Sequence, residues 1–348
     1  MILTMCVAAA MVAGLLLFAL AGGADFGAGV WVLFARGKEA EERHAALVDQ
    51  AIGPIWEANE LWVVVSVVIL WSGFPLAFAA LGITLFVPLI LVLAGIVIRG
   101  AFFAFQEQQT SRSVHLAFGR VFGAVSLIAP IFFGLAAGAV ASGNLNPVRA
   151  RTEGFSFDTF ASGAGYLTSW IGPFPLAVGL LALTTCMFLS AVYLTLEATE
   201  DQELQEKFRR RGLFVGVLLA VLGLAALPVA AYDAQYLWRG LTSFPSVIFM
   251  ALVAISLAAS LFSLHRRSYW WARTFAILEV VLVFCAWAWA QYPYLIVSDI
   301  TIYEAASPAS VQVALLILSF FYAAILGPSL YLLLKIFKGG RQYGKGEG

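Results

Sequence analysis

Nine long apolar stretches divide this chain, at about 3–34, 52–73, 76–104, 117–141, 162–196, 213–232, 246–264, 272–292 and 310–337. A helix rising 1.5 Å per residue needs about 20 residues to cross a hydrocarbon layer ~30 Å thick, so each stretch is read as a transmembrane helix. The first, third and fifth are longer than needed and are expected to tilt or protrude. The second and third meet at a tight Ser72–Pro75 turn. The N-terminal stretch has no basic segment ahead of it and runs far past the length of a secretory h-region, so it reads as a retained helix. The pattern predicts an all-α polytopic membrane protein, one integral membrane domain over 1–348.

Orientation follows from lysine and arginine. With the N-terminus outside, inner segments hold Arg36, Lys38, Arg43, Arg112, Arg120, Lys207, Arg209, Arg210, Arg211, Arg266, Arg267, Arg273, Lys335, Lys338, Arg341 and Lys345. Outer loops hold Arg149, Arg151 and Arg239, and Arg99 falls inside the third stretch. Sixteen against three predicts an outer N-terminus, a cytoplasmic C-terminus and an odd number of spans.

Composition sharpens this reading. The chain is 62% hydrophobic and 11% charged over 348 residues, against roughly 25% charged in soluble domains. Its formal net charge is zero and it has no basic arm, so nucleic acid is not an expected partner. No phosphate-binding glycine motif accompanies a strand. Cys6, Cys186 and Cys285 lie far apart in apolar runs and read as buried small side chains. His44, His115 and His265 all fall in inner loops or at span edges, so the chain is expected to bind neither haem nor metal by itself. The charged "EATEDQELQEKFRRRG" (Glu197–Gly212) and the outer "SDITIYEAASPAS" (Ser298–Ser310) read as solvated connections.

Five ionisable residues break the apolar pattern well inside the stretches: Asp25, Glu57, Glu60, Arg99 and Glu279. A charge in hydrocarbon is costly, so such residues point to a function or a pairing. The topology puts all five in the inner half of the bilayer. Glu57 and Glu60 are spaced i, i+3 and share a helix face, flanked by Trp56, Asn59 and Trp62. Consecutive helices usually neighbour one another, so Asp25, Glu57, Glu60 and Arg99 are expected to form one cluster of three acids and one base. Arg99 neutralises at most one acid. At least one other must carry its proton or exchange it with the inner aqueous phase, as a proton-entry path requires. The competing reading is an ion pair that locks three helices, with Trp56 and Trp62 as interfacial anchors. Glu279 reads as a snorkelling or capping residue.

Three segments carry a resemblance. "GADFGAGVWVLFARG" (Gly23–Gly37) is similar to the first-helix motif of subunit II of cytochrome bd-type quinol oxidases. "IGPIWEANELW" (Ile52–Trp62) resembles that family's second-helix Trp–acid element, and "LILVLAGIVIRGAFFAF" (Leu89–Phe105) its single arginine-bearing helix. The motifs cover the first third of the chain, while the rest agrees in length and span arrangement. The resemblance implies two four-helix bundles (about 3–141 and 162–292) plus a peripheral helix at 310–337. It implies a haem-free partner of a haem-bearing subunit I, in a bacterial or archaeal cytoplasmic membrane. That complex oxidises quinol and reduces O2 to water, drawing protons from the cytoplasm. Some members add a structural quinone or small accessory subunits. Carried over, Asp25 and Glu57 are candidates for the proton route and Arg99 for their charge partner; Glu60, which the family pattern lacks, joins the candidates for its place on the Glu57 face. Trp56, Asn59 and Trp62 are candidates for structure or the subunit interface. Three positions depart from the family pattern: Gly22 stands where a second acid is common, Ala58 where a glycine usually follows the Trp–acid pair, and Glu60 adds an acid where many members are neutral. The alternatives are a proton- or ion-coupled secondary transporter and a quinone-binding membrane anchor of another reductase.

Overall fold

In a computed structural model, residues 1–35, 37–53, 56–106, 112–145 and 170–343 are described. They form twelve helices and one short hairpin: α1 Ile2–Leu33, α2 Lys38–Ile52, α3 Trp56–Gly73, α4 Pro75–Thr84, α5 Phe86–Gln106, α6 Arg112–Ser142, α7 Pro173–Glu197, α8 Gln202–Asp233, α9 Gln235–Leu241, α10 Phe244–His265, α11 Tyr269–Gln291, β1 Tyr294–Ile296, β2 Ile300–Thr301 and α12 Ala309–Tyr343. Among the described residues, seven helices are long and apolar enough to cross a membrane. Two bent pairs, α2 with α3 and α4 with α5, raise the number to nine if each pair is one span.

The third predicted span is not one helix. It breaks at Leu85, and its two legs meet at 90°. The cause is in the sequence. Pro88 has no N–H to give the Thr84 carbonyl, and its ring crowds that carbonyl, so the first leg ends at Thr84. Pro75 starts that leg at a position where a missing N–H costs nothing. The second predicted span begins at Trp56, and the segment before it, read as a loop, holds α2, set at 60° to α3. The charged Glu197–Gly212 stretch is also mostly helical, because Asp201 caps α8 by accepting the Leu204 N–H at 3.0 Å. The start of the fifth predicted span and most of the 142–161 loop lie outside the described residues.

Helix α1 is the hub: it packs against α3, α6, α7, α11 and α12. Small residues make this possible. A side chain at Gly27 would collide with the Cys186 carbonyl of α7, and one at Gly29 with Ser126 of α6. Close approach of backbones through small residues drives helix association where lipid removes the hydrophobic incentive. Gly22–Val32 is consequently buried without interruption.

Two apolar cores result. One joins Ala24, Ala28 and Trp31 of α1 to α2, α7, α8, α10 and α11. The other joins Val7 and Met11 at the opposite end of α1 to α3, α4, α6, the hairpin and Leu315 of α12. That second core corrects the reading of 298–310 as a solvated connection: Ile300, Ile302 and Ala305 are buried, and the Ser307 N–H donates to the Gly73 carbonyl at 2.9 Å. The cysteines also differ from expectation, since Cys6 and Cys285 face outward.

One end of the molecule carries the charge. Arg43 of α2 pairs with Asp201 and Glu203, Arg120 with Glu41, and Arg267 with Glu206. His44 is buried there. Its Nδ1 lies 2.6 Å from the Ala40 carbonyl and its Nε2 2.7 Å from Arg211 Nη1. Arginine can only donate, so Nε2 accepts and Nδ1 carries the hydrogen. Burial first, then the Arg211, Lys207 and Arg43 cations, push its pKa down to about 4, against the Ala40 bond.

Candidate functional site

The expected cluster forms only in part, with a different division of partners. Asp25 sits in the middle of the buried run of α1 and is 3% exposed. Its Oδ2 accepts from Asn59 Nδ2 on α3 at 2.7 Å. Arg99 of α5 pairs with Glu60 of α3, Nη2 to Oε1 at 2.8 Å. The Arg99 side chain is 2% exposed and that of Glu60 is 19% exposed. The guanidinium carbon lies 4.6 Å from the Phe26 ring centre and 5.9 Å from that of Phe122, so two aromatic faces complete its shell. Its Nε has no hydrogen-bond partner among the described residues.

Glu57 does not join them. It lies in the first turn of α3, where the helix dipole favours an acid, and its side chain is exposed on the surface of the chain. Among the described residues it makes no hydrogen bond or ion pair. Helix spacing separates Glu57 from Asn59, two residues on, which points at α1 while Glu57 points away from it; Glu60, on the Glu57 face, is set apart by its pairing with Arg99 of α5. Trp56 packs against α5, where a side chain at Gly100 would come within 2.9 Å of its ring. Trp62 stands edge-on to Tyr322 of α12, ring centres 5.8 Å apart, and so joins α3 to α12.

Glu279 is neither snorkelling nor capping. It is 3% exposed in the middle of α11, and its Oε2 has no partner among the described residues. Sequence reasoning missed Tyr193, on the face of α7 that meets α11. The guanidinium carbon of Arg273 lies 4.7 Å from its ring centre. A tyrosine in an apolar run carries no periodic signal that would single it out.

Among the described residues, no three of His, Cys, Asp and Glu come together as a metal site would require. The break at Leu85 is of the kind transporters place at a midplane binding site. Here it lies fourteen residues from Arg99, about 21 Å along a helix, so it serves a different part of the molecule.

Comparison with known proteins agrees with the motifs. A Bacillus subtilis (strain 168) chain with the provisional name cytochrome bd menaquinol oxidase subunit II is 22% identical over 336 residues, 92% of this chain and 91% of that one. The cytochrome bd ubiquinol oxidase subunit 2 of the same organism is 24% identical over 248 residues, 71% of this chain and 68% of that one. The structure of bd oxidase from Geobacillus thermodenitrificans superposes with a TM-score of 0.77 at 21% identity, over 97% of this chain and 99% of that one, and so shares its fold. The profile of the cytochrome bd terminal oxidase subunit II family matches residues 3–337, and the chain belongs to that family.

Proposed function

We propose that this chain is the haem-free subunit of a membrane quinol oxidase, and that it feeds protons to O2 reduction in a haem-bearing subunit I. In this reading the charged end faces the cytoplasm, the N-terminus lies outside, and the chain forms two four-helix groups with α12 at the periphery. The complex takes electrons from quinol, reduces O2 to water and resides in a bacterial or archaeal cytoplasmic membrane. The sixteen-to-three distribution of basic residues supports the orientation. In this reading the haems belong to the partner subunit; His44 is committed to Ala40 and Arg211, His265 closes α10 at the charged end, and the side chain of His115 lies outside the described residues.

The observation that carries the reading is the pairing of acids at one depth. Arg99 pairs with Glu60, which leaves Asp25 buried with the Asn59 amide donating to its carboxyl. Hydrogen bonding to a neutral amide does not cancel a charge in a low-dielectric core, so Asp25 is suited to take and give a proton. The exposure of Glu57 on the surface of α3 supports a role in handing protons to a neighbouring subunit. Asp25, Glu60 and Glu57 then form the route, with Arg99 fixing the charge of Glu60. Trp56, Asn59 and Trp62 hold the helices in register.

Replacing Glu57 by Gln in the assembled oxidase tests this. Turnover, measured as O2 uptake with a reduced short-chain quinone, should fall about 100-fold, the low end for a positioned proton-transfer group. The haem spectrum should be unchanged. Normal turnover would remove Glu57 from the route. Loss of haem would instead give this residue a role in assembly.

A further inference from the structure

Asp25 is buried, so a proton must reach it through other groups. On the α3 side its partner is the Asn59 amide. A carboxamide nitrogen donates a hydrogen bond but is a poor relay, because it cannot readily give up one proton and accept another. The α7 side offers a different chemistry. Gly27, two residues after Asp25, abuts Ser190, and Tyr193 follows Ser190 by three residues. That is about 4.5 Å closer to the charged end. Helix α7 runs toward that end, and helical side chains lean back toward their own N-terminus, so Tyr193 leans toward the level of Asp25. Behind it Arg273, in the second turn of α11, covers the ring at 4.7 Å and is itself partly exposed at the charged end.

We propose that the Tyr193 hydroxyl is an inlet to Asp25, separate from the Glu57–Glu60 face, through which protons enter between α1, α7 and α11. A phenol hydroxyl both donates and accepts. It passes its own proton toward the Asp25 carboxylate, directly or through water, and is refilled by a proton from water at Arg273, so it ends the cycle neutral. Arg273 is a positioning residue: its charge over the ring fixes the phenol and keeps the entrance hydrated. This inference rests on the proposed role of Asp25 as a proton carrier.

The test uses the assembled oxidase with Tyr193→Phe, which keeps the ring under Arg273 and removes only the hydroxyl. O2 uptake should fall about tenfold with unchanged haem content. The infrared carboxyl band lost in Asp25→Asn should be shifted in Tyr193→Phe. Tyr193→His, which restores a group that donates and accepts, should recover the rate to within about threefold of the original. If Asp25→Asn slows turnover while Tyr193→Phe runs normally with an unmoved carboxyl band, this inlet is wrong and the proposed function stands. If Asp25→Asn itself runs normally, the reading beneath it is wrong. Should Tyr193→Phe fail to assemble, Tyr193→His decides: a restored rate supports the inlet, and a tenfold loss overturns it.

Discussion

The Glu60–Arg99 pair makes an asymmetric prediction about stability. The two side chains differ in their access to solvent, 19% for Glu60 and 2% for Arg99. Glu60→Ala strands an arginine among Phe26 and Phe122, with its Nε already unpartnered among the described residues. Leaving a buried charge uncompensated costs about 3–5 kcal/mol. Arg99→Met fills most of the same space with a flexible apolar chain and leaves an acid that can reach water. Its cost is the lost aromatic contact, ~0.5–2 kcal/mol, plus ~0–1 kcal/mol for a partly solvated pair. The first variant should therefore be less stable than the second by about 2 kcal/mol. The double variant should regain most of the loss seen in Glu60→Ala, because neither charge is then stranded. Unfolding by SDS in mixed micelles, followed through the ten tryptophans, reads all three. Equal losses for the two single variants, or a double variant no better than Glu60→Ala, would refute the assignment of Arg99 as the stranded partner.

Two further outcomes are expected. The folded-state pKa of His44, about 4, lies below its ordinary 6.5, so its stabilising contribution is complete above pH 6.5 and is lost as pH falls toward 4. A melting series from pH 7.5 to 4.5 should show a loss that His44→Gln lacks, and an equal slope in both proteins would contradict it. Gly27→Val should destabilise by about 1–3 kcal/mol through overpacking against Cys186, read in the same micelle titration, whereas Gly223→Val, at a position where a side chain would meet nothing, should change little.

Much of the architecture is legible in the apolar stretches, because spanning length and basic-residue bias act on the chain one segment at a time. The bend at Leu85 was readable too: Pro88 stands thirteen residues into the stretch, but hydropathy averages over it. The hairpin at 294–301 was not legible, because its burial depends on α3, α6 and α12 closing over it. At the site, the i, i+3 spacing placed Glu57 and Glu60 on one face, yet a shared face spans a wide arc. Only the position of α5 decides that Glu60 meets Arg99 while Glu57 turns outward. Glu279 and Tyr193 escaped for a similar reason, since their surroundings come from helices distant in sequence.

The central position of α1 has a consequence for how the chain is made. It leaves the ribosome before every helix it packs against. Asp25 waits for Asn59, 34 residues later. The Trp31 Nε1 donor waits for the Met187 carbonyl, 156 residues later. At roughly 5–20 residues per second that second interval is about 8–30 s. Through it, a glycine-rich helix bearing an acid must stay in the membrane without the neighbours that bury it. The insertion machinery has to shelter α1 until α7 arrives, and slowing translation between these helices should raise the yield of degraded chain.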